Sequence, residues 1–412
     1  MMRITRFSTA LVLFGALLVA ACQNDQLNRP FADTPVDPLF DRYVSMGNSI
    51  TAGFQSGGIN DSTQLQSYAV LLARAMRSPF FPPLMNRPGC PPPYTNVFAG
   101  TRVGGGTPTT CALRKSVPIP PPYISNTAVP GAEVLDIYKN IDTAANANSL
   151  TQFFLGGLTQ AQMMAKAQPT FVSVWIGNND VLGAATSSPN AGDSTKITPV
   201  ATFQARYDSV TAAVAAAKPR GVILIGVANV TDIPYFSAGA TYWAIKNHLA
   251  PPDSFPTAFT VSANCAPGGV LPGGRGDTTL VPFPYGAALL AAAQAGQPRN
   301  LDCADTVVAI VTPPELRKLV TTVLTYNAHI AGQATANHWA YLDPNAALDS
   351  LHAVAAAVRP FPRIPQPCSA NPFGTAFSCD GVHPSAATHK LIAQKLREAI
   401  NAAYTTAIPA IP

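Results

Sequence analysis

Three short segments, far apart in the sequence, carry side chains that could do chemistry together. They are Gly47-Asn-Ser-Ile-Thr51, Gly177-Asn-Asn-Asp180 and Asp380-Gly-Val-His383. The first offers a hydroxyl nucleophile, the second an amide that can donate to a developing oxyanion, and the third an imidazole three residues after a carboxylate. Acyl transfer needs these parts.

The turn around Ser49 follows an apolar segment, 42–46, that predicts a strand, and precedes a helix-forming segment. A serine on such a turn is lifted out of the sheet and exposed at its edge. An α/β-hydrolase elbow would place glycine at position 51, but Thr51 stands there, which excludes that type of turn. Taken alone, Ser49 is better explained as a hydroxyl that satisfies the turn backbone.

Four segments together resemble the conserved blocks of the SGNH, or GDSL, hydrolases. The first resembles the Gly-Asp-Ser-Leu motif, and Gly177–Asp180 resembles the Gly-x-Asn-Asp motif after a strand. Asn126-Thr-Ala-Val-Pro-Gly131 resembles the second block, and Asp380–His383 resembles the Asp-x-x-His motif before the terminal helix. The resemblance identifies the chain as a GDSL-like esterase or lipase over about residues 41–404.

The resemblance implies a role for each matching residue. Ser49 is the nucleophile, His383 the base, and Asp380 the carboxylate that fixes the tautomer of the imidazole. The amides of Ser49 and Gly131 and the side chain of Asn179 form the oxyanion hole. No metal or other cofactor is implied.

Each of these residues also has a structural interpretation. Gly131 follows a proline and would suit a turn in any fold, and Asn179 would suit a loop cap. His383 alone would fit a helix start, but the aspartate three residues earlier favours catalysis. We expect Asp180 to bond backbone, and the other five histidines to be structural: His248, His329, His338, His352 and His389.

The sequence departs from the family pattern at Asn48, where the family usually has aspartate. The two side chains are isosteric, so we expect Asn48 to keep the hydrogen bonding and to remove one charge near the nucleophile. It is the single feature that favours a catalytically inactive relative.

The elements that must position these residues alternate between strands and helices. Strands are predicted at 42–46, 170–176, 221–227 and 338–342, and more weakly at 123–128; helices are predicted at about 65–76, 150–167, 199–217, 315–337 and 385–404, with Ser385 as an N-cap. This alternation predicts a three-layer α/β/α doubly wound parallel sheet, flavodoxin-like as in the SGNH hydrolases, with sites at the carboxyl ends of the strands.

Residues 231–304 break the alternation and predict a loop-rich insertion within the hydrolase domain, rich in Pro, Gly and aromatic residues. Residues 405–412 are predicted to be a C-terminal tail. The insertion lies outside the resemblance. Its aromatic content, the low charge content of the chain and the predicted lipid anchor together suggest a substrate with acyl chains.

The N-terminus resembles a bacterial lipoprotein signal. Arg3 and Arg6 precede a short apolar run that ends in small residues before Cys22, which predicts a signal peptide over 1–21, acylation of Cys22 and a tether over 22–40. An ordinary secretory signal is the alternative. Removing 1–21 lowers the formal charge from +5 to +3, too small to indicate nucleic acid as a partner.

Six cysteines remain, and an even number in an exported chain predicts disulfides. Sequence does not fix the connectivity, but pairing of neighbours keeps each bridge within one loop-rich region. We therefore expect Cys90–Cys111, Cys265–Cys303 and Cys368–Cys379. The last bridge would hold the loop of His383, because Cys379 directly precedes Asp380.

The sequence thus predicts a serine esterase or lipase acting on a small-molecule or lipid ester, attached to a membrane through its lipid, most simply the outer membrane. The alternatives are a carbohydrate O-acetyl esterase, an inactive SGNH-fold lipoprotein that binds an envelope glycan or lipid, and an anchored structural protein. The oligomeric state is not readable from the sequence.

Overall fold

The fold is described by a computed structural model that covers residues 34–116, 121, 123–139, 149–252 and 254–411. The predicted signal peptide and the predicted acylation at Cys22 lie outside these ranges. Among the described residues, no helix is both long and apolar enough to span a bilayer.

Strands and helices alternate along much of the described chain. The strands are β1 Tyr43–Gly47, β2 Tyr94–Asn96, β3 Thr101–Arg102, β4 Phe171–Trp175, β5 Gly221–Ile225, β6 Phe236–Ala238, β7 Phe259–Val261, β8 Leu280–Pro282, β9 Arg299–Leu301 and β10 Ala340–Leu342. The α-helices are α1 Ser49–Ala52, α2 Asp61–Gln64, α3 Tyr68–Met76, α4 Ser149–Leu155, α5 Gln160–Ala167, α6 Asn179–Ala185, α7 Val200–Ala216, α8 Gly239–Lys246, α9 Phe283–Gln294, α10 Pro313–Ala336, α11 Asn345–His352 and α12 Ala386–Tyr404.

The central sheet has four parallel strands in the order β1-β4-β5-β10. Both of its faces are covered, because alternate side chains of each strand enter two different cores. One core joins Val44, Val172, Val222 and Leu224 to apolar residues of α5, α7 and α10. The other joins Tyr43, Phe171, Ile223 and Ile225 to residues of α3 and α12. The predicted three-layer fold class is confirmed.

The weakly predicted strand at 123–128 lies along the free edge of β1 as an isolated parallel bridge. The amide of Ser45 donates to the carbonyl of Ser125 at 2.8 Å, and the amide of Thr127 donates to the carbonyl of Ser45 at 2.9 Å. This segment thus takes the place next to β1 that a fifth strand would have in a flavodoxin-like order.

The predicted single helix over 150–167 is wrong, because the structure has two helices, α4 and α5. Gly156 and Gly157 separate them with φ angles of +62° and +89°, which suit glycine and end a helix. Thr159 then begins α5 with a capping box, its hydroxyl accepting from the amide of Gln162 at 3.1 Å.

The segment predicted as an insertion forms α8, α9 and the short strands β6 to β9, around a core of its own. Its aromatic rings pack largely on one another: Tyr242, for example, contacts Phe255 and Phe259. Phe361, from outside the predicted boundaries, completes this core. The disulfide Cys265–Cys303 is buried within it.

The described disulfides are Cys90–Cys111, Cys265–Cys303 and Cys368–Cys379, the same pairs that the sequence predicts.

The segments that flank the predicted domain on both sides also pack against it. The amide of Val36, in the predicted tether, donates to Met76, and Phe40 is buried. Ile408, in the predicted tail, is buried against α12.

Candidate active site

The turn that presents Ser49 is shaped by the two residues before it. A Cβ at Gly47 would lie 2.4 Å from Oγ1 of Thr51 and 2.5 Å from the carbonyl oxygen of Trp175, so only glycine fits. Asn48 caps α1, because its Oδ1 accepts from the amide of Ile50 at 3.1 Å. Ser49 is therefore the first residue of a helix that begins at the carboxyl end of β1.

The side chain of Gln160, the first residue of α5, forms two hydrogen bonds with the backbone of this turn. Its Oε1 accepts from the amide of Gly47 at 2.9 Å, and its Nε2 donates to the carbonyl of Gly47 at 2.8 Å. The side chain is fully buried and so substitutes for a neighbouring strand at the point where β1 ends. Sequence reasoning missed Gln160, since no local pattern links it to a residue 113 positions away.

His383 lies between Ser49 and Asp380. Its Nε2 is 2.9 Å from Oγ of Ser49, and its Nδ1 is 2.8 Å from Oδ2 of Asp380. The carboxylate assigns the proton to Nδ1 and leaves the lone pair of Nε2 facing the hydroxyl. The ring of Phe54, 4.9 Å away, packs on the imidazole.

Asp380 accepts five hydrogen bonds. Its Oδ2 accepts from the amide of Gly57 at 2.6 Å as well as from His383, and its Oδ1 accepts from the amides of Val382 and His383 at 2.9 Å and from Ser378 Oγ at 3.1 Å. Burial by itself would raise the pKa of Asp380, but the positive charge of a protonated His383 and the hydrogen bonds from His383 and Val382 lower it to about 2. The carboxylate is thus fixed as an anion.

The loop of the base and the loop after the nucleophile are joined to each other. The amide of Ser56 donates to Ser378 Oγ at 2.8 Å, and the amide of Cys379 donates to Ser56 Oγ at 3.1 Å. The bridge from Cys379 to Cys368 adds a covalent tie on the same segment. Ser49 and His383, 334 residues apart in sequence, are therefore held through several independent contacts.

The predicted oxyanion donors lie on adjoining segments. Asn179 begins α6, lines the same cavity as Ser49, and donates from Nδ2 to the carbonyl of Ala132 at 2.8 Å. An amide nitrogen carries two hydrogens, so this bond leaves the second for another acceptor. Gly131 precedes Ala132, is exposed at a φ of +79°, and is outside the cavity lining.

Two further asparagines complete this side of the cavity. Nδ2 of Asn48 donates to Oδ1 of Asn178 at 3.3 Å, and both residues are buried and line the cavity. An aspartate at position 48 could accept from Ile50 in the same way but could not make this donation. Asn178 was not predicted from the sequence.

Asp180 bonds backbone, as the sequence predicts. It is fully buried, and its Oδ2 accepts from the amide of Val134 at 2.9 Å. Burial, followed by the nearby charge of Glu133, raises the pKa of Asp180 to about 7. This bond ties the start of α6 to the segment that follows Gly131.

The histidines expected to be structural are outside the cavity lining. Burial lowers the pKa of His389 to about 3, and its Nδ1 accepts from the amide of Tyr68 at 3.2 Å. His329 lies 2.8 Å from Asp208. Within the described ranges, no three His, Cys, Asp or Glu side chains are grouped so as to hold a metal ion.

A cavity of about 400 Å³ opens beside Ser49 and His383. Its lining is mostly apolar and includes Leu342, Leu348 and Leu351 from β10 and α11, and Leu391 and Ile392 from α12. Among the described residues, no aromatic side chain of the predicted insertion lines this cavity. Helix α11, which does, was not predicted.

Comparisons with known proteins find no matching family model and no matching curated protein. Among solved structures, an acetylxylan esterase from Geobacillus stearothermophilus is 13% identical, covering 87% of this chain and 94% of that chain at a TM-score of 0.38. A putative GDSL-like lipase from Parabacteroides merdae is 10% identical, covering 89% and 98% at a TM-score of 0.36. Likeness at this level assigns no activity to this chain.

Proposed function

We propose that this protein is a serine carboxylic ester hydrolase of the SGNH type that works through an acyl-enzyme. The observation that carries the proposal is the continuous chain of hydrogen bonds from Ser49 Oγ through both nitrogens of His383 to Asp380, at 2.9 and 2.8 Å. A hydroxyl satisfied by a turn would not need an imidazole so oriented by a buried anion.

In the proposed reaction, Ser49 Oγ attacks the ester carbonyl carbon while His383 Nε2 takes the hydroxyl proton. Asp380 stabilises the imidazolium without itself taking the proton. The oxyanion accepts hydrogen bonds from the amide of Ser49 and the side chain of Asn179, with Gly131 as the third proposed donor. Removing one such donor typically costs about 10²–10³ in rate.

The tetrahedral adduct collapses when His383 protonates the leaving alcohol and the C–O bond breaks, which leaves the acyl group on Ser49. Water then attacks the acyl-enzyme as His383 takes its proton, and the carboxylic acid leaves as His383 returns that proton to Ser49. The chemistry requires no cofactor.

The proposal is tested by labelling with a fluorophosphonate probe and by hydrolysis of p-nitrophenyl butyrate. We expect Ser49→Ala to abolish both, with an unchanged circular dichroism spectrum. Ser209→Ala is the matched control, because its hydroxyl donates to the carbonyl of Ala205 in its own helix and, among the described residues, lies outside the cavity lining. Labelling of the Ser49→Ala variant, or no labelling of the wild type, would overturn the proposal and favour the inactive alternative.

The mostly apolar lining of the cavity favours an ester with a hydrocarbon acyl group over an acetylated carbohydrate. We also propose an exported lipoprotein, anchored through Cys22. Three disulfides support export, since they persist in oxidising compartments. Two or more acyl chains on Cys22 would make the anchoring stable.

A further inference from the structure

The apolar cavity extends along the carboxyl ends of the central sheet, away from the nucleophile. Its lining includes Ser49 after β1, then the last residues of the three other strands, which are Trp175, Ile225 and Leu342. Neighbouring strands are about 4.8 Å apart, so three spacings give a cavity roughly 14 Å long.

Two helices, α11 and α12, form the side walls of the cavity. From α12, Thr388, Leu391, Ile392 and Lys395 line the cavity at i, i+3, i+4 and i+7, a single stripe of about 10 Å that begins beside the base loop. Because α12 runs away from His383, the exposed Lys395 marks the far end of this stripe. Helix α11 supplies the opposite wall, including Ala347.

The length of the cavity limits what can be bound. A fully extended chain advances about 1.2 Å per bond, so roughly 14 Å accepts about 12 bonds. The cavity volume of about 400 Å³ is within the usual range for pockets that bind small molecules. Part of this space must take the ester group itself at Ser49.

Resting on the proposed hydrolase function, we infer that this cavity is the acyl-chain site and selects straight acyl chains of about eight to twelve carbons. Each methylene that enters it contributes to binding in the transition state, up to about fourfold in kcat/KM. An acetyl group leaves the walls without contact. A palmitoyl chain exceeds the length and must bend or protrude into solvent.

The test is kcat/KM for p-nitrophenyl esters from acetyl to palmitoyl, each below the concentration at which micelles form. We expect at least a tenfold rise from butyryl to decanoyl and a fall at palmitoyl. Equal rates for acetyl and decanoyl, or a maximum at acetyl, would overturn the inference while leaving the hydrolase intact. Absence of hydrolysis with every ester would instead remove the proposed function itself.

Ala347→Phe, which fills the cavity, is expected to lower kcat/KM for the decanoyl ester at least tenfold and to change that for the acetyl ester less than twofold. Ala353→Phe is the matched control, since Ala353 is exposed just after α11 and outside the lining. If Ala347→Phe does not fold, Ala346→Phe at the exposed part of the lining replaces it. An unchanged decanoyl preference in a folded variant contradicts the assignment.

Discussion

Replacement of Asp380 by asparagine tests the catalytic assignment and the electrostatics of the site together. The carboxylate receives hydrogen bonds at both oxygens, and the carboxamide must turn its NH₂ toward one of those two sides. In one orientation the NH₂ group faces the amide of Gly57 and Nδ1 of His383, which moves the imidazole proton to Nε2. In the other orientation the NH₂ group faces the backbone amides of Val382 and His383. Neither orientation keeps all the bonds.

The expected loss of activity is large. When the imidazole proton moves to Nε2, that nitrogen can no longer accept the proton of Ser49. Exchange of carboxylate for carboxamide in a Ser-His-Asp triad lowers kcat by about 10⁴. We therefore expect Asp380→Asn to lower kcat on p-nitrophenyl butyrate by about 10³–10⁴. Asp349→Asn, an exposed change on α11 outside the cavity lining, should stay within threefold of wild type.

The same change removes a contribution to stability that depends on pH. The pKa of Asp380 is about 2 in the folded protein, below the value of about 3.9 for an unfolded chain. A lowered pKa means that the carboxylate stabilises the fold above pH 4, and that this contribution is lost as pH falls through 2. Nearly two pKa units correspond to roughly 2–3 kcal/mol.

Urea unfolding at pH 6 and at pH 1.5, followed by tryptophan fluorescence, measures this contribution. Wild type should lose roughly 2–3 kcal/mol more of its unfolding free energy than Asp380→Asn between these two pH values. A variant within tenfold of wild-type activity would refute the role of Asp380. Equal losses of stability in the two proteins would refute the electrostatic reasoning.

Two further predictions concern Asn48 and Cys22. Asn48→Asp keeps the cap on Ile50 and adds a buried negative charge near the site; activity should stay within tenfold. The added charge stabilises the imidazolium form of the base. The acid limb of the pH profile of kcat/KM should therefore shift to a pH about half a unit higher, which corresponds to about 0.7 kcal/mol of charge interaction. An acid limb at an unchanged pH contradicts this reasoning. Cys22→Ala should shift the protein from the membrane fraction to the soluble periplasmic fraction, and undiminished membrane association would exclude the lipid anchor.

The sheet was predictable because its strands are buried on both faces. Residues 221–225 form an unbroken apolar segment, and residues 171–175 are apolar except for the buried Ser173, because both strands send side chains to two cores. The chemical groups were also readable, since Asp380 and His383 are close in sequence and precede a capped helix.

Features that depend on distant partners were not predictable. Helix α11 is only eight residues long and carries just two large apolar side chains, Leu348 and Leu351, so its sequence shows little periodicity. Gln160 resembles any polar residue in a first helical turn until its bonds to Gly47 are seen. The break at Gly156 and Gly157 carried a local signal, but the apolar spacing on either side concealed it.

The hydroxyl of Ser49 and the imidazole of His383 are 334 residues apart in sequence, so the proposed site can form only late in synthesis. By loop-closure entropy, bringing such distant residues together costs about 5 kcal/mol beyond a constant, which the completed sheet and both its helical layers must supply. A nascent chain that ends before residue 380 lacks the base and its carboxylate altogether. The proposed hydrolase would therefore gain activity only after its C-terminal segment has been synthesised and has folded onto the sheet.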